Sequence, residues 1–88
     1  MKKISLFLAV IFTSLNSFAA VECTKEDKSK WMDPAKFQAT LKAEGYEIKV
    51  FKVTKGNCYE IYGKNKEGKK VEIYFNPVTS EKVKANIK

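Results

Sequence analysis

The chain opens on a nearly unbroken apolar run, Ile4 to Phe12, set behind Lys2 and Lys3. A polar neck, Thr13-Ser14-Leu15-Asn16, and a set of small residues follow it. A positive start, a short apolar centre and a small-x-small exit predict a cleaved export signal over residues 1–19. Ser17 and Ala19 fill the two small positions, which places the cut between Ala19 and Ala20. An uncleaved anchor is disfavoured, because the run is about half of the ~20 residues a spanning helix needs. Glu22 before Cys23 also argues against a lipoprotein, which requires a small residue there.

Beyond residue 20 the spacing of apolar positions changes. Ala20 to Lys30 is polar, with Cys23 as its one anchor, and reads as an arm. Asp33 is suited to cap a helix, since its carboxylate can accept an orphan backbone N–H, and Pro34 suits the first helical position. Phe37 and Leu41 then recur at helical spacing, Met32 and Phe37 are placed as a hydrophobic staple, and Gly45 is a natural stop. The pattern predicts one helix from about Pro34 to Glu44. From Tyr46 the period becomes that of strands. Tyr46, Ile48 and Val50 share one face of the segment Tyr46 to Thr54, while Phe51 and Val53 fall on the other, so either a bulge or burial on both sides is expected. Lys55-Gly56-Asn57 is a turn, Cys58 to Gly63 a second strand, and Lys64 to Gly68 a polar loop. In Lys70 to Asn76, Val71, Ile73 and Phe75 alternate with Glu72 and Tyr74. Asn76-Pro77 starts another turn, and Glu81 to Ile87 forms a short edge strand or frays. The fold class is α+β: residues 20–88 form a single domain, with one short helix packed on a three- to four-stranded antiparallel sheet.

Cysteine usage agrees with export. Cys23 and Cys58 are the only two, both beyond the leader, and an even pair in a short exported chain predicts a disulfide. Closing that loop removes roughly 3–4 kcal/mol of unfolded-chain entropy in the simple loop model. A domain near ~70 residues has little apolar burial to spare, so such a bridge matters. The precursor carries 17 basic and 10 acidic residues, and every base is lysine. Without Lys2 and Lys3 the balance is 15 to 10, or +5. Lysine is a point charge that lacks the fork with which arginine grips phosphates and guanine edges, so a nucleic-acid partner is not expected. The lysines read first as a hydrated surface, and second as attraction to anionic lipid, glycan or an acidic partner.

Little in the chain carries chemistry. With no histidine, the commonest general base and metal ligand are both missing, and no metal site is expected. No glycine-rich phosphate loop is present, and no cofactor is implied. Glu60 and Glu72 can face each other on neighbouring strands as a carboxylate pair, but a domain this small offers little room for a substrate pocket. The expectation is that the protein is not an enzyme.

One ordered pattern remains. Trp31 before the helix, Gly45-Tyr46, Gly56-Asn57-Cys58-Tyr59-Glu60, Gly68-Lys69-Lys70-Val71-Glu72-Ile73-Tyr74, and Asn76-Pro77 with Thr79 resemble the PepSY-type domain of exported bacterial proteins. It is most similar to the small stand-alone form, and the likeness runs from about Cys23 to Val83. Glu67, Asn76 and Ser80 depart from the family pattern, standing where aspartate, aspartate and glycine are usual. The resemblance implies a periplasmic or secreted binding module that regulates or inhibits a peptidase or another envelope protein. Its contact residues would be Tyr59, Tyr62 and Tyr74 with Lys49 and Lys70 at the rim, since an exposed aromatic cluster edged by lysine is the usual make-up of a partner site. The alternative is a lysine-rich module that meets anionic envelope polymers or lipid headgroups at the membrane surface. Oligomeric state does not follow from the pattern.

Overall fold

The computed structural model describes residues 21–88. The expected leader, residues 1–19, and the cut before Ala20 lie outside the described residues.

Helix α1 runs Pro34–Ala43. The Asp33 carboxylate accepts the Lys36 backbone N–H at 3.0 Å, as expected of a cap. At the far end Glu44 is the C-cap, and Gly45 takes a positive φ of 102° that lets Tyr46 N–H return to the Leu41 carbonyl. The buried side chains of the helix are Phe37 and Leu41.

Four strands follow: β1 Glu47–Val53, β2 Tyr59–Lys64, β3 Lys70–Phe75 and β4 Lys82–Ile87. They form a single antiparallel meander in the order β1-β2-β3-β4. The tail is therefore a full edge strand. The conflict of faces in β1 is resolved by a bulge. Ile48 stands opposite Gly63 and Val50 opposite Tyr62, so Lys49 is the extra residue. Ile48 and Phe51 consequently both face the helix, and Val50 turns to the other side. Gly63 is demanded by this close approach, since a Cβ there would collide with the Glu47 carbonyl. A second irregularity in β4 leaves Val83 unpaired between Lys82 and Lys84.

The core lies between α1 and one sheet face: Phe37, Leu41, Tyr59, Ile61, Val71, Ile73 and Phe75, with Trp31, Tyr46, Ile48 and Phe51 at its margin. Phe37 is its hub, with ring centroids 5.0 Å from Tyr59 and 5.1 Å from Phe75. Burying each such ring is worth about 1.5–3 kcal/mol.

The arm is bound to the opposite face. Cys23 and Cys58 are joined in a disulfide. Cys23 N–H donates to the Gly56 carbonyl at 3.0 Å, and the Asn76 side-chain amide donates to the Cys23 carbonyl at 3.0 Å. Gly56 has to lack a side chain, because a Cβ would strike the Val21 carbonyl. The chain then rounds the end of the sheet through a 3-10 turn, Lys28–Lys30, and sets Trp31 edge-on against Tyr59 at 5.7 Å. In the last turn Ser80 sits at φ 64°, the left-handed conformation that glycine adopts most readily.

Candidate functional site: the open face of the sheet

Strand alternation puts Val71, Ile73 and Phe75 against the helix, and so places Glu72 and Tyr74 on the far face. The same alternation pairs Glu60 and Tyr62 on that face of β2. The registers assemble two rows across the sheet: Lys52, Glu60, Tyr74 and Lys84, then Val50, Tyr62, Glu72 and Asn86. Among the described residues no helix covers them.

Glu72 is the centre of the second row. Tyr62 and Tyr74 hydroxyls both donate to its Oε2, at 3.0 Å and 3.1 Å. Burial acts to raise the Glu72 carboxyl, but hydrogen bonding, that from the Tyr62 and Tyr74 hydroxyls foremost, outweighs it and holds the group below its ordinary value. The tyrosines respond in the opposite sense. The hydrogen bond to Glu72 pushes the Tyr62 phenol well above 10, whereas burial first and that bond second push Tyr74 up to about 12. The face thus presents neutral phenols locked to a carboxylate. Lys52 lays its ammonium 5.5 Å from the centre of the Tyr62 ring.

Lysines collect at one end of the face. Lys49, Lys64, Lys70 and Lys88 surround an open groove of about 300 Å³ whose other walls include Tyr62 and Glu72. Tyr62 is 37 % exposed and Val50, opposite it, 47 %. Of the residues expected to meet a partner, Tyr62, Tyr74, Lys49 and Lys70 are brought together here.

Tyr59 is not. It points into the core, where it is almost wholly buried among Trp31, Phe37 and Phe51, and its hydroxyl donates to the Met32 carbonyl at 2.6 Å. The reason is parity: Tyr59 precedes Glu60 by one, so it shares the face of Ile61. The cross-strand neighbours of Glu60 are Lys52 and Tyr74. It is 2 % exposed, and its Oε2 has no hydrogen-bond partner. Lys52, Lys84 and Asn86 were missed as members of the site. The alternation already fixed Glu72 and Tyr74 to one face, but the register that adds Lys84 and Asn86 depends on the bulge at Val83.

A single helix packs on one face of the four-stranded meander, and among the described residues the other face carries the polar aromatic rows. The chain belongs to the family described as Peptidase propeptide and YPEB domain (PepSY_2), which matches residues 3–86, nearly the whole length. Comparison with curated proteins and with solved structures finds no match. Among the described residues no helix is long and apolar enough to cross a membrane.

Proposed function

We infer that the open face is a docking surface and that this protein is an exported module which regulates or inhibits a peptidase or another envelope protein by binding it. The observation that supports this is the Tyr62–Glu72–Tyr74 cluster, two phenols held by a shared carboxylate on the sheet face opposite α1. Rings fixed in this way lose little conformational freedom on binding, which favours them as contact residues. The mature domain, immobilised and exposed to an envelope extract, retains a discrete protein at high salt, and Tyr62→Ala with Tyr74→Ala abolishes the retention. The retained protein is then assayed for peptidase activity with and without the domain. Retention that is indifferent to both substitutions refutes the assignment of the face.

A second reading has its own support. Lys49, Lys64, Lys70 and Lys88 concentrate charge at one end of the sheet, as a site for anionic polymer or lipid headgroups would require. Binding of that kind falls steeply with added salt, because exposed charges are screened within ~8–10 Å at physiological ionic strength. Retention that disappears at high salt and with lysine substitutions supports this reading over the first.

A further inference from the structure

Every residue of β4 is exposed, although half of the strand is apolar. The register sets Ala85 opposite Ile73 and Ile87 opposite Val71, so both lie on the helix side of the sheet. Val71 and Ile73 are buried there, whereas Ile87, one strand over, is 58 % exposed. The core stops at β3.

The backbone of β4 is open as well. Opposed residues of an antiparallel ladder alternate between exchanging both hydrogen bonds and turning their N–H and C=O groups away from each other. The Lys88 N–H donates to the Lys70 carbonyl at 2.9 Å, which marks this as a hydrogen-bonded pair. Counting inwards, Glu72 and Asn86 form the next such pair, while Val71 with Ile87 and Ile73 with Ala85 are of the other kind. Ala85 and Ile87 thus aim their N–H and C=O groups away from β3. Among the described residues no strand lies beside that edge. The outer strand at the other side, β1, is interrupted by its bulge at Lys49, whereas the irregularity at Val83 precedes this stretch of β4 and leaves it regular.

Charge narrows what can pair there. Residues 82–88 carry Lys82, Lys84 and Lys88 and no acid. Glu81 stands just before the strand, and Glu72, opposite Asn86, is engaged by Tyr62 and Tyr74. A second copy joined through this edge would set lysine among lysine, and like charges on adjacent strands are destabilising. An anionic polymer or headgroup could meet the lysines but has no peptide backbone to pair with the outward N–H and C=O groups. We propose that the outer edge of β4 receives an extended acidic segment of the protein that the domain binds, which adds a further strand to the sheet; this rests on the reading of the domain as a protein-binding module. The segment pairs its backbone with Ala85 and Ile87. Its apolar residues lie beside these two on the helix side, and its carboxylates fall on the side of Lys84, which shares the face of Tyr74. Strand addition of this kind draws affinity from main-chain bonds and selectivity from alternate side chains.

The probe is an acetylated, amidated heptapeptide in which glutamate alternates with valine, titrated into the oxidised protein and followed by amide hydrogen exchange in NMR. The Ala85 and Ile87 amides are expected to exchange freely without it and to slow about tenfold or more at saturation. The same peptide with lysine for glutamate gives no slowing, and Lys84→Glu with Lys88→Glu reverses the preference between the two peptides. Ala85→Pro removes an outward N–H without touching the ladder to β3, a position where edge strands accept proline, and abolishes the slowing at Ile87. Should that variant fail to fold, Ile87→Pro makes the same test at Ala85. Slow exchange at both amides that needs no peptide and grows with protein concentration names a second copy as the occupant and overturns the proposal. A peptide that leaves both amides exchanging freely also overturns it, whether it fails to bind or only gathers at Lys49 and Lys64. The tyrosine substitutions report on the open face and these amides on the edge, so the failure of one reading is distinguishable from that of the other.

Discussion

Replacing both Cys23 and Cys58 by alanine is the perturbation whose outcome is best defined by the structure. The two residues are 35 apart in sequence, and Cys58 is fully buried. Loop-closure entropy for a ring of that size is about 4 kcal/mol at 25 °C. The arm keeps other ties, namely the Cys23–Gly56 and Asn76–Cys23 hydrogen bonds and the Trp31 ring against Tyr59. The folded state of the variant should therefore stay close to the native one, and the loss should come mainly through the unfolded chain. A domain of this length has a total stability of only about 3–10 kcal/mol. The bridge then accounts for a large share of it, equivalent to a fall in melting temperature of roughly 15–30 °C. Urea unfolding of the oxidised protein and the double variant, followed by far-ultraviolet circular dichroism, measures the difference in midpoint. A shift below about 1 kcal/mol would show that the arm is already constrained before folding and would refute the entropic argument.

Other perturbations follow from single features. Phe37→Ala removes the hub of the core and should cost about 3–5 kcal/mol in the same unfolding assay. Ser80→Gly relieves a left-handed residue and should raise stability by about 1 kcal/mol, with no change in spectrum. Gly63→Ala forces a methyl against the Glu47 carbonyl and should destabilise by about 1–3 kcal/mol, visible as a lower melting temperature. Because Tyr62 and Tyr74 titrate above 10 when folded, the unfolded chain gives up these protons first. Their share of stability is whole below pH ~10 and declines as pH rises toward 12. Glu72 runs the other way: its share is present above its ordinary 4.5 and is lost as pH falls through its lower folded value. Tyrosinate absorbance checks this, and Glu72→Gln should bring the Tyr62 titration down markedly.

The helix was legible to within a residue because its signals are local: Asp33 and Pro34 at one end, Gly45 at the other. So was β3, where alternation is strict. The bulge in β1 was foreseen as one of two options, since the faces of Ile48 and Phe51 conflict only if the strand is regular. What could not be read was how the strands register. The place of Tyr59 is not legible locally, because a tyrosine's burial depends on what lies across it, and Trp31 and Phe37 approach from 28 and 22 positions away in sequence. The burial of Glu60 was hidden for the same reason. Its surroundings combine β1, β3 and the arm at Val21, which no window of sequence brings together.

The extra residue at Lys49 also makes the domain sensitive to chain length. Strand side chains alternate with a period of two. Deleting that single residue would restore a regular ladder and send Ile48 and Tyr46 out of the core, onto the face of Tyr62 and Glu72. The loop from Gly45 would be shortened against α1 at the same time. A three-nucleotide loss at this codon therefore damages the interior more than replacing Lys49 by almost any other amino acid. Variants of this protein should accordingly tolerate exchanges at position 49 while conserving the count of residues between Gly45 and Phe51.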